Sequence, residues 1–151
     1  MINYSINNTE HKVTFCKSNK LKSISDSIES VNSDKNILII YDDKIEKKIV
    51  KSIFSELKLS GCRIYSLHIK GDKLNKNEKF LFKILDFLIK NKFTKKSVIF
   101  SCGGGVVGDV AALASSLYLR GTIYFSIPST MTAVVDSAIG GKTGINYKGI
   151  I

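Results

Sequence analysis

Four glycines fall within the six residues Gly103–Gly108, between the apolar segment 97–102 and the alanine- and leucine-rich segment 110–119. Glycine loses more conformational freedom on folding than any other residue, so such a cluster indicates a backbone that another group approaches closely. The spacing fits GxGxxG, in which a phosphate lies at the N-terminus of the helix that follows the turn. A tight turn without a ligand is the alternative. The cluster predicts a strand, a glycine loop and a helix that begins near Asp109.

Segments typical of strands and helices alternate before this cluster. Residues 35–43 are rich in isoleucine and predict a buried strand. Apolar residues then recur at steps of four from Ile45 to Leu57, which predicts a helix, and Gly61 suits its C-terminal end. Similar patterns predict a second helix at 77–92 and strands at 62–71, 97–102 and 122–128. This alternation indicates an α/β fold with a mainly parallel sheet flanked by helices.

The chain has the size of one domain. It contains 151 residues, of which 44% are hydrophobic, and this composition indicates a globular fold. Near the N-terminus, residues 12–18 predict an edge strand and residues 21–31 predict a short helix. No internal repeat or low-complexity linker divides the sequence, so we predict that residues 1–151 form a single domain.

The formal net charge of +10 is a feature that nucleic-acid-binding proteins share. Only Arg63 and Arg120 are arginines, however, and the lysines are scattered among apolar residues instead of clustering with stacking aromatic residues. This pattern argues against nucleic acid as a partner, while a positive field suits a phosphorylated or carboxylated metabolite. The polar N-terminus and the lack of an apolar segment of about 20 residues predict a cytoplasmic protein without a membrane span.

Potential metal ligands and disulfide partners are sparse. The cysteines Cys16, Cys62 and Cys102 lie far apart in the sequence, and neither a CxxC nor an HxxxH pattern occurs. Odd and widely spaced cysteines are typical of reduced thiols in the cytosol. The sequence therefore predicts no metal site within this chain.

A second glycine-containing segment, Asp136–Gly144, has some features of a Walker loop. The pattern GxxxxGK[ST] requires glycine where the chain has Asp136, which counts against a P-loop. The Asp136 carboxylate suits hydrogen bonds from hydroxyl or amide groups, and Lys142 suits a phosphate or carboxylate. Ser129 and Thr130 follow the last predicted strand, where their hydroxyls either contact a nucleotide or cap the next helix.

Taken together, the segments KGDKLN, GGGVVGDVAALASSLYLRG and SIPSTMTAVVDSAIGGKTGIN resemble the 3-dehydroquinate synthases, a family of sugar-phosphate cyclases. The resemblance runs from about Asn36 to the end of the chain. It implies that residues 1–151 are a Rossmann-like, NAD-binding N-terminal domain. In the complete enzyme, a mostly helical domain would follow and bind the substrate and a divalent metal, zinc or cobalt. The resemblance places no metal ligand in this chain, which would lack catalysis alone.

The resemblance also assigns roles to individual residues. It implies that Asp136, Lys142 and Arg120 act in catalysis, with Arg120 reaching the substrate phosphate of the neighbouring subunit in a homodimer. Asn75 stands where the family has lysine, although Lys76 is adjacent. The implied cofactor contacts are Asp42, Gly71, Asp72, Lys73, Asn75, Gly104, Gly105, Val106, Val107, Gly108, Asp109, Ser129, Thr130 and Lys142.

The implied reaction belongs to the shikimate pathway. A phosphorylated keto acid, 3-deoxy-arabino-heptulosonate 7-phosphate, is converted to 3-dehydroquinate with release of phosphate. The alternatives are another sugar-phosphate cyclase, an iron-type alcohol dehydrogenase, a degenerate P-loop nucleotidase and a truncated remnant that binds no ligand. Iron-type alcohol dehydrogenases share the GGG loop, but the segment VDSAIGGKTG favours the dehydroquinate synthases.

Overall fold

The computed structural model describes residues 2–6, 9–13, 26–28, 30–31, 33–59, 61–141, 143–148 and 150, and only the backbone of 2–6, 9–13 and 59. At the N-terminus, β1 (Ile2–Ile6) and β2 (Thr9–Val13) form a two-stranded antiparallel sheet. The main sheet is parallel, has the strand order β4-β3-β5-β6, and consists of β3 (Asn36–Asp42), β4 (Arg63–Ile69), β5 (Val98–Gly103) and β6 (Ile123–Pro128).

Three helices connect the strands of the main sheet: α1 (Lys47–Leu59), α2 (Glu78–Lys90) and α3 (Gly105–Leu117). The Asn77 side chain caps α2 by accepting a hydrogen bond from the backbone N–H of Phe80 at 3.0 Å. Shorter elements complete the described part of the chain. They are 3₁₀ turns at Lys73–Asn75 and Tyr118–Arg120 and a π-helical segment at Ala133–Ser137.

The sheet separates two apolar layers because successive side chains of a strand point to opposite faces. Leu38 and Ile40 of β3 face the layer formed with α2 and α3. Ile37 and Ile39 face the layer formed with α1. Since both faces are covered, the central strands are buried along their length, as their isoleucine-rich sequence predicted. The predicted α/β fold with a parallel sheet flanked by helices is confirmed.

The amino-terminal edge of the main sheet is closed by a cluster of hydrogen bonds around Asp34. Its Oδ2 accepts hydrogen bonds from Ser97 Oγ at 2.5 Å and Thr94 Oγ1 at 2.6 Å. Its Oδ1 accepts a hydrogen bond from the backbone N–H of Asn36 at 3.0 Å. Partial burial raises the pKa of Asp34, but these hydrogen bonds outweigh it and hold the pKa below its ordinary value of 3.8. The cluster ties the chain entering β3 to the chain entering β5.

Of two predictions about the N-terminal segments, one needs correction and the other is confirmed for the described residues. Residues 12 and 13, the described part of the predicted edge strand 12–18, belong to β2, which pairs with β1 and not with the main sheet. Thr14–Ser18 lie outside the described residues. Of the short helix predicted at 21–31, the described residues 26–28 are helical.

The predicted start of α3 was wrong. The helix begins at Gly105, four residues before the expected position near Asp109. Gly103 ends β5 and Gly104 is the N-cap, so Gly105 and Gly108 lie in the helix and not in a preceding loop. The glycine cluster predicts a connection over 103–108, but two of its glycines lie in the helix, where glycine is less favourable than alanine by only about 1 kcal/mol.

Candidate functional site

The chain adds strands to the sheet in opposite directions on the two sides of the boundary between β3 and β5. From β3 the chain passes through α1 to β4 on one side, whereas from β5 it passes through α3 to β6 on the other side. The helices α1 and α3 lie on opposite faces, so a crevice opens beyond the carboxyl ends of β3 and β5. Open α/β sheets bind their ligands at such a switch point. The candidate site therefore consists of the residues around the carboxyl ends of these strands.

The first turn of α3 presents unpaired backbone donors at this crevice. The first bond of the helix runs from the N–H of Gly108 to the carbonyl of Gly104 at 3.0 Å. The N–H groups of Gly105, Val106 and Val107 precede it and have no acceptor within the helix. The N-cap Gly104 makes no side-chain hydrogen bond to them, and the first turn holds no acidic residue. Together with the positive end of the helix dipole, these donors favour an anion.

The glycines of this turn differ in what the fold demands of them. A Cβ at Gly103 would lie 2.8 Å from the Cβ of buried Val107, so the fold excludes a side chain there. At Gly105 the nearest described atom to an added Cβ is Ser137 Oγ at 3.8 Å, and at Gly108 it is the same atom at 3.4 Å. Both are ordinary van der Waals distances. The packing of the described residues therefore does not explain why positions 105 and 108 lack a side chain.

The segment after β6 forms the neighbouring wall of the crevice. The N–H of Ser129 donates to the carbonyl of Gly103 at 2.8 Å, which joins the ends of β6 and β5. Thr130 Oγ1 accepts a hydrogen bond from the N–H of Ala133 at 3.2 Å, so this hydroxyl has the capping role considered for it. Ser129 and Thr130 are both exposed. A role of these residues in nucleotide binding stays a prediction.

Asp42 ends β3 and is only 8% exposed. Its Oδ1 accepts hydrogen bonds from the backbone N–H groups of Lys44 at 3.0 Å and Gly71 at 3.4 Å. A Cβ at Gly71 would lie 2.0 Å from Asp42 Oδ2, so the two residues are packed directly against each other. Asp42 thus joins the ends of β3 and β4 at the crevice, and its contact with a bound adenosine stays a prediction.

The turn after β4 is closed by its own side chains. Asp72 Oδ1 accepts hydrogen bonds from the backbone N–H of Asn75 at 3.0 Å and from its side-chain amide at 2.9 Å. The Asn75 amide also donates to the carbonyl of Lys70 at 2.8 Å. Lys73 in this turn is exposed. The predicted contact residues Asp72 and Asn75 are therefore bonded to each other, and their role toward a cofactor stays a prediction.

Lys76 connects this turn to α3. Its Nζ lies 2.5 Å from Asp109 Oδ2, and the two side chains are 21% and 17% exposed. Its backbone carbonyl accepts a hydrogen bond from the N–H of Asn146 at 2.7 Å. In the sequence, Lys76 stands out only as the neighbour of Asn75. The structure shows that its side chain forms an ion pair with the predicted site residue Asp109.

Two buried groups near the crevice have raised pKa values. Burial, with a smaller effect from the negative charge of Asp42, raises the pKa of the Cys102 thiol to about 11. This thiol is protonated at neutral pH and is therefore not an activated nucleophile. Burial also raises the pKa of Tyr124, so its hydroxyl remains a hydrogen-bond donor at neutral pH.

The structure describes two of the three predicted catalytic residues, Asp136 and Arg120, and these lie near opposite ends of α3. Asp136 is exposed, and its backbone carbonyl accepts a hydrogen bond from the N–H of Gly140 at 2.6 Å. Arg120 follows the opposite end of α3, about 20 Å from Gly105 at a rise of about 1.5 Å per residue. Lys142 lies outside the described residues. A role of Arg120 at the site of a neighbouring subunit is compatible with this distance.

The sequence patterns did not identify a group of polar residues in the sheet that supports the first turn of α3. Ser101 in β5 and Tyr124 and Ser126 in β6 form a hydrogen-bonded group beneath the first turn of α3. These residues could have been identified in the sequence because they are three polar side chains in two otherwise apolar strands. Ser137, which faces Gly105 and Gly108, gave no comparable signal, because one serine beside Asp136 in the mostly apolar segment 133–139 is not distinctive.

The described residues contain neither a candidate metal site nor a helix that could span a membrane. Among these residues, no group of three or more His, Cys, Asp or Glu side chains is placed to hold a metal ion. Within the same residues, no helix is long and apolar enough to cross a bilayer.

Comparison with known sequences identifies the family of this chain. The 3-dehydroquinate synthase N-terminal family matches residues 66–150. This chain belongs to that family. Relatives named 3-dehydroquinate synthase include one from Ruminiclostridium cellulolyticum, 29% identical over 99% of this chain and 42% of its own length. One from Campylobacter jejuni is 35% identical over 86% of this chain and 36% of its own length. The chain thus spans about two fifths of the curated relatives that it matches.

Solved structures of sugar-phosphate cyclases share the fold. A 2-deoxy-scyllo-inosose synthase complexed with carbaglucose-6-phosphate, NAD⁺ and Co²⁺ superposes with a TM-score of 0.72 and 23% identity, covering 83% of this chain and 35% of that one. The 2-epi-5-epi-valiolone synthase from Streptomyces hygroscopicus with NAD⁺ and Zn²⁺ bound has a TM-score of 0.73 and 23% identity, covering 91% and 40%. At this identity the likeness establishes the fold, which is the Rossmann-like arrangement expected.

Proposed function

We propose that this chain is the NAD-binding domain of a 3-dehydroquinate synthase. Residues 1–151 form this single domain, and a second domain of the complete protein binds the substrate and a divalent metal, zinc or cobalt. The observation that carries the proposal is the pair Gly105 and Gly108. The described fold leaves room for a Cβ at both positions, yet both are glycine in a helix, where glycine costs about 0.5–1 kcal/mol relative to alanine.

The free N–H groups at the start of α3 fit the pyrophosphate of NAD. Gly105 and Gly108 add no side chain of their own to this helix surface, where Ser137 is the nearest described side chain, so phosphate oxygens that approach from the crevice reach the donors of Gly105, Val106 and Val107. Gly104 and Thr130 lie on one side of these donors, and the end of β3 lies on the other side. The absence of an acidic residue from the first turn of α3 leaves its positive field unopposed.

The remaining predicted contacts belong to the same proposed cofactor site. Asp42 at the end of β3 lies on the adenosine side, and Asp109 lies toward the nicotinamide. The other proposed contacts are Gly71, Asp72, Lys73, Asn75, Ser129, Thr130 and Lys142. Bound NAD would supply a transient hydride acceptor for the reaction.

The proposed substrate is 3-deoxy-arabino-heptulosonate 7-phosphate, and the proposed product is 3-dehydroquinate. Asp136 and Lys142 contact both cofactor and substrate, and Lys142 binds a phosphate or carboxylate as a point charge. Arg120 binds the substrate phosphate in the partner subunit of a homodimer, for which its guanidinium is well suited. The complete enzyme acts in the cytoplasm, in the shikimate pathway. Catalysis also requires the substrate and metal groups of the proposed second domain.

A second candidate is another sugar-phosphate cyclase, because the solved structures that share this fold include an inosose synthase and a valiolone synthase. The family match favours the dehydroquinate synthase. An assay of the complete protein with 3-deoxy-arabino-heptulosonate 7-phosphate and with glucose 6-phosphate, the sugar phosphate that resembles the carbaglucose-6-phosphate of the inosose synthase complex, separates these candidates. We expect turnover of the first compound alone, and turnover of glucose 6-phosphate alone would overturn the assignment.

Titration calorimetry of this chain with NAD tests the binding site directly. We expect saturable heat for the wild-type chain and an affinity at least about tenfold lower for Gly105→Ala, because the new methyl group occupies the space of the phosphate. Ser116→Ala is the matched control, since Ser116 is exposed on the same helix and distant from its first turn. Its affinity should equal that of the wild type.

The stability of the variants shows whether a loss of binding has another cause. Gly105→Ala should be at least as stable to urea as the wild type, because alanine favours a helix and meets no described atom closer than 3.8 Å. A folded wild-type chain that gives no saturable heat, or a Gly105→Ala variant that binds NAD as well as the wild type, would overturn the proposal.

A further inference from the structure

A buried group of hydroxyls lies beneath the first turn of α3. The Tyr124 hydroxyl donates to the carbonyl oxygen of Gly108 at 3.2 Å and lies 2.6 Å from Ser101 Oγ. Ser101 Oγ in turn lies 3.4 Å from Ser126 Oγ. Ser101 is 1% exposed, so its hydroxyl depends on protein partners for its hydrogen bonds. The group occurs where β5 and β6 place Ser101 opposite Ser126.

The opposite end of α3 has its own tyrosine. The Tyr118 hydroxyl is buried and donates to the carbonyl oxygens of Phe93 at 2.8 Å and Leu88 at 3.3 Å. Ser115 Oγ donates to the carbonyl of Thr122 at 3.0 Å at the same end. Helix α3 is therefore bonded to its surroundings at both ends by side-chain hydroxyls, and of these two groups it is the Tyr124 group that bonds to the turn carrying the N–H donors.

The first turn of α3 depends on such support because it has little of its own. Its N-cap is Gly104, which has no side chain to bond the turn, and Gly105 and Gly108 allow more backbone freedom than other residues. The hydrogen bond to Gly108 acts on the residue whose N–H closes the first bond of the helix. Fixing this carbonyl fixes the direction in which the preceding donors point.

We infer that Tyr124 is a positioning residue that, through Gly108, holds the N–H groups of Gly105, Val106 and Val107 in the direction needed to bind a pyrophosphate. The inference rests on the proposed function for the identity of the ligand. Tyr124 acts through the helix and does not touch the ligand itself. Ser101 supports Tyr124 from the opposite side of its hydroxyl.

The test compares Tyr124→Phe with Tyr118→Phe. Each variant removes one hydroxyl that donates to a backbone carbonyl near α3, buried in the case of Tyr118 and partly buried in the case of Tyr124, so we expect losses of stability to urea of similar size. In titrations with NAD and with ADP-ribose, Tyr124→Phe should bind each ligand roughly five- to tenfold more weakly than the wild type. Tyr118→Phe should remain within about twofold. Equal affinities of the two variants for both ligands would overturn the inference.

Backbone amide hydrogen exchange in the ligand-free chain gives a readout that is independent of NAD binding. In Tyr124→Phe, we expect faster exchange at Gly108 and Asp109 and unchanged exchange in the last turn of α3. Tyr118→Phe should show the reverse. Uniform acceleration along α3 in Tyr124→Phe would overturn the inference even if the wild type fails to bind NAD, a failure that would count against the proposed function instead.

A second variant covers the case in which Tyr124→Phe does not fold. Ser101→Ala removes the hydroxyl that supports Tyr124 but leaves the bond from Tyr124 to Gly108 intact. We expect its affinity for NAD to fall by about two- to threefold, in the same direction as for Tyr124→Phe. An unchanged affinity together with unchanged amide exchange at Gly108 would contradict the positioning role of this group.

Discussion

The parallel sheet has one edge formed by the amino-terminal ends of its strands and another formed by their carboxyl ends. The two edges contain similar residue types, but their polar groups have different hydrogen-bond partners. At the amino-terminal edge, Asp34, Thr94 and Ser97 bond to one another, so the carboxylate and both hydroxyls are satisfied within the protein. At the carboxyl edge, the helix N–H donors of Gly105–Val107 have no acceptor within the helix, and Ser129 and Thr130 are exposed. The closed edge serves stability, and the open edge is available to a ligand.

The carboxyl edge itself contains both kinds of residue. Gly71 and Gly103 are packed against Asp42 and Val107, so a side chain at either position would collide with buried atoms. Gly105 and Gly108 are not restricted in this way by the described residues. A glycine motif is therefore not a single functional unit. Part of it builds the end of the strand, and part keeps the surface of the helix bare.

The largest effect on stability is expected for Gly103→Ala. The added methyl group would lie 2.8 Å from the Cβ of Val107, which is buried and β-branched and therefore has little freedom to move. We expect a loss of about 2–3 kcal/mol in the free energy of unfolding, measured by urea denaturation. Gly105→Ala is the comparison, with no loss or a small gain. Equal destabilisation by the two variants would show that the division of the motif is wrong.

A smaller effect is expected for Asp34→Asn at the closed edge. An amide cannot accept the same set of hydrogen bonds as a carboxylate, so the free energy of unfolding should fall by about 1–2 kcal/mol at neutral pH. Affinity for NAD should be unchanged, because this edge is remote from the crevice. A loss of NAD affinity in this folded variant would contradict the separation of the two edges.

The same variant has a predicted pH dependence. The pKa of Asp34 in the folded chain is below 3.8, so between its folded and unfolded values the unfolded chain binds more protons. The stabilisation from Asp34 is therefore complete above the unfolded value and is lost as the pH falls through the folded value. We expect the stability difference between wild type and Asp34→Asn to shrink as the pH is lowered from 5 to about 2.5. A constant difference would contradict the assigned hydrogen bonds.

The smallest effect is expected for the ion pair between Lys76 and Asp109. A double-mutant cycle with Lys76→Met and Asp109→Asn should give a coupling energy of about 1 kcal/mol, because the pair is close but partly exposed. The coupling should decrease when the salt concentration is raised. Zero coupling at low salt would show that the pair does not join the turn after β4 to α3.

Much of the fold followed from local patterns. The steps of four from Ile45 to Leu57 predicted α1, and the isoleucine-rich segment predicted β3, because burial on one or both faces imposes these periodicities directly. The separate β1–β2 pair was not predicted, since the pairing of a strand depends on residues elsewhere in the chain. The glycine-rich connection from a strand to a helix was also predicted, because a glycine cluster is a local feature of the sequence, although the helix begins four residues earlier than expected. That this connection binds a cofactor stays a prediction.

The detailed contacts of the site could not be predicted, because they join residues that meet only in the folded chain. Lys76 and Asp109 are 33 positions apart and meet only because α3 packs beside the turn after β4. Glycine preferences suggested a helix start near Asp109, but packing of Val107 and support from Tyr124 allow the helix to begin at Gly105. Asp72 and Asn75 looked equally available to a cofactor, and the structure shows them bonded to each other.

The most direct measurement is an NMR titration of the chain with NAD that follows the backbone amide signals of both edges. The account predicts saturable shifts that are largest at Gly105, Val106 and Val107, whose N–H groups gain an acceptor. Signals of Asn36 and Ser97 at the closed edge should stay within the spread of the remaining protein. Saturable shifts at the closed edge, or saturation by NAD without a change at Gly105–Val107, would contradict the claim that the open donors of α3 bind the pyrophosphate.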